Sequence, residues 1–254
     1  MKKTIVFILI STMMLTGCST AKQSDEMKIE YQIDLSEDDG ADSVERDGDH
    51  QKSIYFPKND FYNMKSNKTL TILTNFKTLQ QSSEWSCGPA SALMVMEYLN
   101  TRNDASEEDV AALRPQGLKP GATSLNEMIT IFENHGEYTI ESAHDFSSIE
   151  ELDEYFTLDK IQEYLKEGLP VLIGYNDWGG HWQVIIGYDT MGTETYQDDV
   201  IIVADPYDTT DHNQDGYGIY PAERFIYNFS FYNFFEENAG ENNNFKQFMV
   251  VKSN

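Results

Sequence analysis

The first half of the chain carries apolar residues at helical spacing. Between residues 87 and 99 they recur every three or four positions, which places them on one face of a helix. Residues 106–113 open with acidic side chains, which are favourable at a helix N-terminus. Two Ser-x-x-Glu sequences, beginning at Ser124 and Ser148, match the capping box and predict two more helix starts. A further helix is predicted over residues 159–166.

The second half changes to short runs of β-branched and aromatic residues separated by turn residues, which is typical of strands. Such runs occupy residues 171–175, 182–188, 200–204 and 245–251. Helices followed by runs of this kind predict an α+β fold with an antiparallel sheet. The aromatic run at residues 225–235 fits neither period. We interpret it as core, with a wall of a substrate groove as the alternative.

The N-terminus has the organisation of an export signal. Two lysines precede an apolar run over residues 5–15, and small residues follow it. The run is too short to span a membrane, which takes about 20 apolar residues. The sequence Leu15-Thr16-Gly17-Cys18 resembles the lipobox of bacterial lipoproteins. That resemblance implies that residues 1–17 are removed, that Cys18 is lipidated, and that the lipid holds the protein on the extracytoplasmic face of the membrane.

The composition separates the rest of the chain into two parts. Residues 18–52 are acidic and poor in aromatic residues, which predicts a flexible linker before a domain over residues 53–254.

The 254 residues include 18 Lys and Arg against 43 Asp and Glu, a net charge of −25. This charge repels polyanions, so a nucleic-acid partner is excluded. The hydrophobic fraction of 40% is enough for a core, so wholesale disorder is excluded as well. The oligomeric state stays open.

Two cysteines are present, and lipidation of Cys18 would leave Cys87 as the only thiol. Cys87 lies at the predicted start of a helix, in Trp85-Ser86-Cys87-Gly88-Pro89-Ala90. The partial positive charge and the unpaired N–H groups of a helix N-terminus favour the reactive thiolate, and the same N–H groups can donate to an oxyanion. These features predict a nucleophile. The alternative is a small buried core residue, which is the common role of a lone cysteine.

A thiolate nucleophile needs an imidazole that exchanges protons with the substrate, and the imidazole needs an acceptor that orients it. Of the five histidines, His181 opens a predicted strand directly after Trp178-Gly179-Gly180, at the rim of the sheet. Asp205 ends the following strand. In an antiparallel hairpin, these two residues can face each other at one edge of the sheet. Taken singly, each is also compatible with a purely structural role.

Three segments together resemble the papain-like cysteine peptidases that process bacteriocin leaders. They are Gln81-Ser82-Ser83-Glu84-Trp85-Ser86-Cys87-Gly88-Pro89-Ala90-Ser91, His181-Trp182-Gln183-Val184-Ile185-Ile186-Gly187-Tyr188-Asp189 and Ala204-Asp205-Pro206. The resemblance implies a papain-like fold whose helical half carries Cys87 as nucleophile. Its sheet half then carries His181 as acid and base, with Asp205 as the orienter. Gln81, six residues before the cysteine, is implied as an oxyanion donor, and only this spacing distinguishes it from Gln80.

The resemblance also implies a peptide or protein substrate and a chemistry that requires no cofactor. The best-known members are fused to an export transporter, whereas this sequence carries a predicted lipid anchor. The resemblance therefore implies thiol hydrolase chemistry rather than leader processing. Two alternatives stay open, a catalytically inactive papain-like fold that acts as a surface binding module, and transpeptidation instead of hydrolysis. Such a cleft admits peptide, isopeptide or other amide bonds, so the substrate stays undefined.

An acidic segment after the predicted strands matches the opening of a calcium-binding loop, Asp211-His212-Asn213-Gln214-Asp215-Gly216. Oxygens of Asp211, Asn213 and Asp215 can converge on one ion, and the glycine permits the sharp turn that follows. Position twelve of the motif is Ala222, where a bidentate glutamate is expected, so a neighbouring acid would have to replace it. We predict a structural calcium ion here, with an acidic surface turn as the alternative.

Overall fold

The computed structural model describes residues 27–29, 40–41, 54–55, 57–175, 180–209, 213–230 and 246–254. These residues form an α+β structure with one antiparallel sheet, as the hydrophobic pattern predicts. The described strands are β1 (Leu70–Ile72), β2 (Tyr138–Ser142), β3 (Val171–Tyr175), β4 (His181–Asp189), β5 (Val200–Ala204), β6 (Tyr217–Pro221) and β7 (Gln247–Ser253). The described helices are α1 (Cys87–Tyr98), α2 (Glu107–Ala112), α3 (Leu125–His135), α4 (Ile149–Tyr155), α5 (Leu158–Lys166) and α6 (Ala222–Ser230), with a 3₁₀ turn at Ala143–Asp145.

The sheet runs in the order β2-β7-β3-β4-β5-β6, and β1 pairs with β4 outside this row. Each of these pairings is antiparallel. The hairpin of β4 and β5 places Val184 opposite Ala204. Continued by one residue, that register sets Asp205 opposite Gln183, which lies two residues from His181 and on the same face of β4. The fold therefore brings the end of β5 to the start of β4.

α1 is enclosed by the rest of the domain, and it is apolar on all sides. Its residues from Cys87 to Met96 are buried, which is typical of a helix inside a core. It packs against β4, where the Ser91 hydroxyl donates to Trp182 O at 3.1 Å. Ser91 lies one helical turn after Cys87, and Trp182 follows His181 directly. This hydrogen bond therefore fixes the start of α1 relative to the start of β4.

Hydroxyl side chains cap most of the described helices, and the sequence predicts two of these caps, at Ser124 and Ser148. Ser106 and Ser124 each form a complete capping box with the acidic residue three positions further on. Ser148 accepts from the N–H of Glu151, whose carboxylate accepts from Ser147 instead of closing the box. These caps satisfy N–H groups that have no acceptor within the helix.

The hydrophobic pattern misses β2 and β6 and leaves the aromatic run unassigned. β2 is short and mostly half-exposed. β6 contains Gly218 and ends at Pro221, two residue types that weaken a strand prediction. The first part of the aromatic run belongs to α6, where Phe225 and Phe229 are buried, in agreement with the core interpretation. Residues 231–245 lie outside the described residues.

Two short pieces of the predicted linker pack against the domain. The N–H of Ile29 donates to Thr78 O at 2.9 Å, and the N–H of Thr78 donates to Met27 O at 3.0 Å. Gly40 approaches the segment after β1 so closely that a Cβ would lie 2.3 Å from the carbonyl carbon of Ser82. The domain boundary at residue 52 stays a prediction.

The predicted signal peptide and the lipidation site Cys18 lie outside the described residues. In the part of the chain that the structure describes, no helix has the length and hydropathy needed to cross a membrane.

Candidate active site

Cys87 is the first residue of α1, directly after the N-cap Ser86. Its side chain is largely buried but contributes to the lining of a cavity. Gly88 is needed at the next position, because a Cβ there would lie 2.6 Å from Thr123 Cβ. The loop before α3 can therefore approach the start of α1 closely. The N–H groups of the first helical turn have no acceptor within the helix and are available to an incoming oxygen.

His181 and Asp205 meet at the edge of the sheet where β4 begins and β5 ends. His181 Nε2 lies 2.6 Å from Asp205 Oδ1. The imidazole is 5% exposed, so the pair is shielded from most of the solvent. The hairpin thus brings together His181 and Asp205, which are 24 residues apart along the chain, as the sequence analysis predicts.

Asp205 is itself held in place by hydrogen bonds that the sequence does not indicate. Gln183 Nε2 donates to Asp205 Oδ2 at 2.7 Å, and the N–H of Tyr207 donates to Asp205 Oδ1 at 2.7 Å. Gln183 is fully buried and also contacts the Tyr220 hydroxyl, at 3.0 Å. The alternation of side chains along β4 is the one signal that could have found Gln183, because residues two apart share a face.

The protonated form of His181 is stabilised by its neighbours. Burial alone lowers the pKa of His181, but hydrogen bonds to Asp205 and Cys87, together with the charges of both groups, raise it to about 10. Asp205 engages Nε2, which leaves Nδ1 as the ring nitrogen for Cys87. The arrangement therefore favours the imidazolium form of His181 beside Cys87.

A second set of contacts joins the helical and sheet halves around this pair. Trp182 Nε1 donates to Thr123 O at 2.6 Å. The ring of Tyr207 lies edge-on to the imidazole of His181, with ring centroids 6.4 Å apart. The Tyr207 hydroxyl donates to Glu84 Oε1 at 2.7 Å, on the segment just before Cys87. Tyr207 therefore links His181 to the segment just before Cys87.

The two candidate oxyanion donors point to different partners. Gln81 is buried, and its Nε2 donates to Ser83 O at 2.7 Å. Gln80 Nε2 donates to Asp205 O at 3.2 Å. An amide nitrogen carries two hydrogens, and Gln81 uses one of them in its hydrogen bond to Ser83 O. The assignment of the oxyanion donor to Gln81 stays a prediction.

A cavity of about 240 Å³ opens beside Cys87 and His181. The other side chains around it are mostly small or neutral, and they include Ala122, Thr123, Ser124, Gly174, Tyr175 and Gln247. Gly174 has no room for a side chain, since a Cβ would lie 2.9 Å from Gln247 Oε1. Among the described residues that line the cavity there is no Asp, Glu, Lys or Arg.

The predicted calcium loop is only partly described. Asp211 lies outside the described residues, whereas Asn213 and Asp215 lie within them. Asp215 is buried, and its Oδ1 accepts from the N–H of Tyr217 at 3.2 Å. Gly216 has a φ of +85°, the left-handed backbone that the motif requires for its turn. Within the described ranges, no group of three or more His, Cys, Asp or Glu side chains is arranged to hold a metal ion, and the calcium site stays a prediction.

Comparison with known proteins places this arrangement in a family. Comparison with curated proteins gives no match. The family model described as Peptidase_C39 like family matches residues 73–234, a range that contains Cys87, His181 and Asp205. Because the matched range covers more than half of the sequence, the chain belongs to the Peptidase_C39 like family.

Proposed function

We propose that the protein is a papain-like cysteine peptidase that cleaves peptide or amide bonds through an acyl-enzyme on Cys87. The observation that carries the proposal is the position of His181, which is hydrogen-bonded to Asp205 and lines the same cavity as Cys87. Nucleophile, base and orienting group in hydrogen-bond reach of one another are what thiol hydrolysis needs. Membership of a peptidase-like family supports the same chemistry.

Acylation begins when the Cys87 sulfur attacks the carbonyl carbon of the scissile bond and the carbonyl oxygen becomes an oxyanion. We assign the stabilisation of this oxyanion to N–H groups of the first turn of α1 and to the side-chain amide of Gln81. The tetrahedral intermediate then collapses, and the C–N bond breaks as His181 gives its proton to the leaving amine. A thioester on Cys87 and a neutral His181 remain.

Deacylation uses the same groups in reverse. Neutral His181 takes a proton from a water molecule, and the resulting hydroxide equivalent attacks the thioester. The C–S bond breaks, the carboxylic acid product leaves, and the thiolate–imidazolium pair is restored. Asp205, oriented by Gln183, keeps the imidazole in position through both steps. With an amine in place of water, the same acyl-enzyme would give transpeptidation.

The proposed place of action is the extracytoplasmic face of the cell membrane. The lipobox-like sequence that ends at Cys18 supports it. The substrate is proposed to be a peptide or protein, and the cavity beside Cys87 is the surface that would receive it. The proposed chemistry requires no cofactor, because nucleophile, acid, base and oxyanion donors are all groups of the protein.

A peptidyl chloromethyl ketone tests the proposal, because it alkylates a reactive active-site thiol. We expect it to label wild-type protein at Cys87, and Cys87→Ala to lose both labelling and peptide hydrolysis without losing its thermal unfolding transition. Cys18→Ser is the matched control, since it removes the other cysteine and should keep both activities.

Two results would contradict the proposal. Full hydrolytic activity in Cys87→Ala would exclude the acyl-enzyme. An unreactive Cys87 in folded wild-type protein would favour the binding-module alternative.

A further inference from the structure

Arg114 is a buried arginine that follows α2, with 3% of its surface exposed. A guanidinium group has five N–H donors in a fixed planar arrangement. In this structure they meet five oxygen acceptors at 2.8 to 3.4 Å. The acceptors are Ala111 O, Gly117 O, Lys119 O, Gly121 O and Thr123 Oγ1. The Arg114 side chain therefore binds the segment of residues 117–123, which we call the 117–123 loop.

The partners of Arg114 are neutral, so its positive charge is not cancelled by a direct ion pair. No carboxylate among the described residues lies within 4.0 Å of the guanidinium. Burial lowers the pKa of Arg114, while the charges of Glu127 and Cys87 raise it in part. An arginine stays protonated at neutral pH under such conditions. A full positive charge is thus held inside the domain, against the ring of Trp85 in the segment that leads into Cys87.

The contacts of Arg114 lead to the start of α1 by two routes. Its guanidinium carbon lies 4.2 Å from the ring centroid of Trp85, which is two residues before Cys87. Its other route runs through Thr123, whose side chain packs against Gly88 at the position where no Cβ would fit. Thr123 O in turn accepts from Trp182, next to His181. Arg114 therefore touches the segments before and after Cys87 and the loop that lines the cavity.

We propose that Arg114 is a positioning residue of this site that holds the 117–123 loop against α1 and stabilises the thiolate form of Cys87 by its buried charge. The inference rests on the proposed function, because a stable thiolate is useful only to a nucleophile. A stabilising positive charge matters for the thiolate because the net charge of −25 disfavours a further anion. A helix N-terminus supplies only about half a positive charge. Arg114 adds a full one in a region shielded from solvent.

The test is the pH dependence of iodoacetamide alkylation of Cys87, measured on the full chain by mass spectrometry of the peptide that contains this residue. Alkylation needs the thiolate, so the midpoint of the pH–rate profile reports the pH at which the Cys87 thiolate forms. In Arg114→Gln the midpoint should rise by about one pH unit, which lowers the rate below the midpoint about tenfold. Arg114→Lys should keep the midpoint near the wild-type value. It should raise KM for a peptide substrate several-fold, because lysine cannot hold the 117–123 loop with five donors.

Arg102→Gln is the matched control. It removes one positive charge at the other end of α1, where Arg102 pairs with Glu97, and it should leave the midpoint unchanged. A second variant keeps Arg114 in place: Glu127→Gln removes the carboxylate whose charge acts on Arg114 and should lower the midpoint. Glu127→Gln also serves if Arg114→Gln does not fold, since its amide can still accept at the capping box.

An unchanged midpoint in folded Arg114→Gln, or in Glu127→Gln, would overturn the inference. An equal rise in Arg114→Lys and Arg114→Gln would also overturn it, because charge would then not be the cause. Alkylation does not require peptide hydrolysis. Shifted midpoints without any hydrolysis would therefore contradict the proposed function and leave the role of Arg114 standing.

Discussion

At the scale of single residues, His181 is the group on which the proposed chemistry depends, because it is hydrogen-bonded to Asp205 and lines the same cavity as Cys87. Its pKa is raised, so folding stabilises the protonated ring. This contribution to stability is fully present below pH 6.5, the ordinary value, and is lost as the pH rises through about 10. The imidazolium that must protonate the leaving amine therefore persists across neutral and mildly alkaline pH.

The alkaline limb of the pH–activity profile tests this interpretation of His181. In wild type, we expect kcat/KM for a peptide substrate to fall as His181 loses its proton near pH 10. Asp205→Asn should move this limb to lower pH, because it removes the carboxylate whose charge raises the pKa of His181. Asp199→Asn is a matched control, since Asp199 binds the Tyr188 hydroxyl elsewhere in the same hairpin. An alkaline limb that is the same in wild type and Asp205→Asn would contradict the role assigned to Asp205.

The oxyanion donor is the second question at this scale. Gln81→Ala should lower kcat by about 10²–10³-fold with little change in KM, the loss expected when one oxyanion donor is removed. Gln80→Ala should have a smaller effect, because its amide supports the Asp205 backbone. Single-turnover rates of the two variants decide between them. A larger loss in Gln80→Ala would show that the assignment is off by one residue.

At the scale of secondary structure, the site is assembled where three element ends converge: the start of α1, the start of β4 and the end of β5. The loop before α3 closes the arrangement through Thr123, which packs on Gly88 and accepts from Trp182. The geometry of the candidate active site thus depends on how closely that loop can approach α1.

Gly88→Ala tests this close approach. The new Cβ would lie 2.6 Å from Thr123 Cβ, so the loop or the helix start must move. We expect a loss of about 1–3 kcal/mol in the free energy of unfolding, as is usual for overpacking, together with reduced labelling of Cys87. Gly136→Ala is a suitable control, because its Cβ would meet Tyr138 at an ordinary 3.4 Å. Equal melting temperatures for Gly88→Ala and wild type would show that the close approach is not required.

Features that depend on neighbours in sequence could be predicted, and features that depend on tertiary contacts could not. The apolar spacing after Cys87 predicts α1 to within one residue. The hairpin that joins His181 to Asp205 follows from two β-branched runs and the turn residues between them.

The role of Gln183 in holding Asp205 could not be predicted, since Gln183 is a single polar residue inside an apolar strand. Its second partner, Tyr220, lies on β6, which the sequence analysis does not predict. Arg114 could not be predicted either. Four of its five acceptors are backbone carbonyl oxygens, which every residue type supplies.

The loop between β5 and β6 links the predicted calcium site to the catalytic edge. The N–H of Asp205 donates to Gly216 O at 2.9 Å, and Asp208 Oδ2 accepts from the N–H of Gly216 at 2.8 Å. An ion bound by Asp211, Asn213 and Asp215 would order the loop that holds the Asp205 backbone. The role proposed for calcium is therefore stabilisation of the fold, not chemistry.

Calcium titration of metal-free protein tests the site. Millimolar calcium should raise the melting temperature, because an ion that binds only the folded state stabilises it. Asp211→Ala combined with Asp215→Ala should abolish the calcium-dependent rise. This double variant should also melt lower without calcium, since Asp215 accepts from the N–H of Tyr217. Magnesium at the same concentration controls for general screening of the net charge. No rise in wild type, or an equal rise in the double variant, would exclude the site.

At the scale of the whole molecule, the proposed tether determines how far the active site can reach from the membrane. Residues 27–29 pair with Thr78, and Gly40 packs against the segment that leads to Cys87. If Cys18 carries lipid, only the residues between it and Met27 separate the membrane from the first contact with the domain. The cleft would then work close to the membrane surface.

Anchoring through Cys18 can be tested in cells that make the full chain. A lipidated protein partitions into the detergent phase of a Triton X-114 extract, because its acyl chains bury many methylene groups. Cys18→Ser should shift the protein to the aqueous phase or leave the signal peptide uncleaved, which the molecular mass reveals. Cys87→Ala is the matched control; it removes the other cysteine and should stay in the detergent phase. A persistent detergent-phase signal with a cleaved Cys18→Ser chain would refute the lipid anchor.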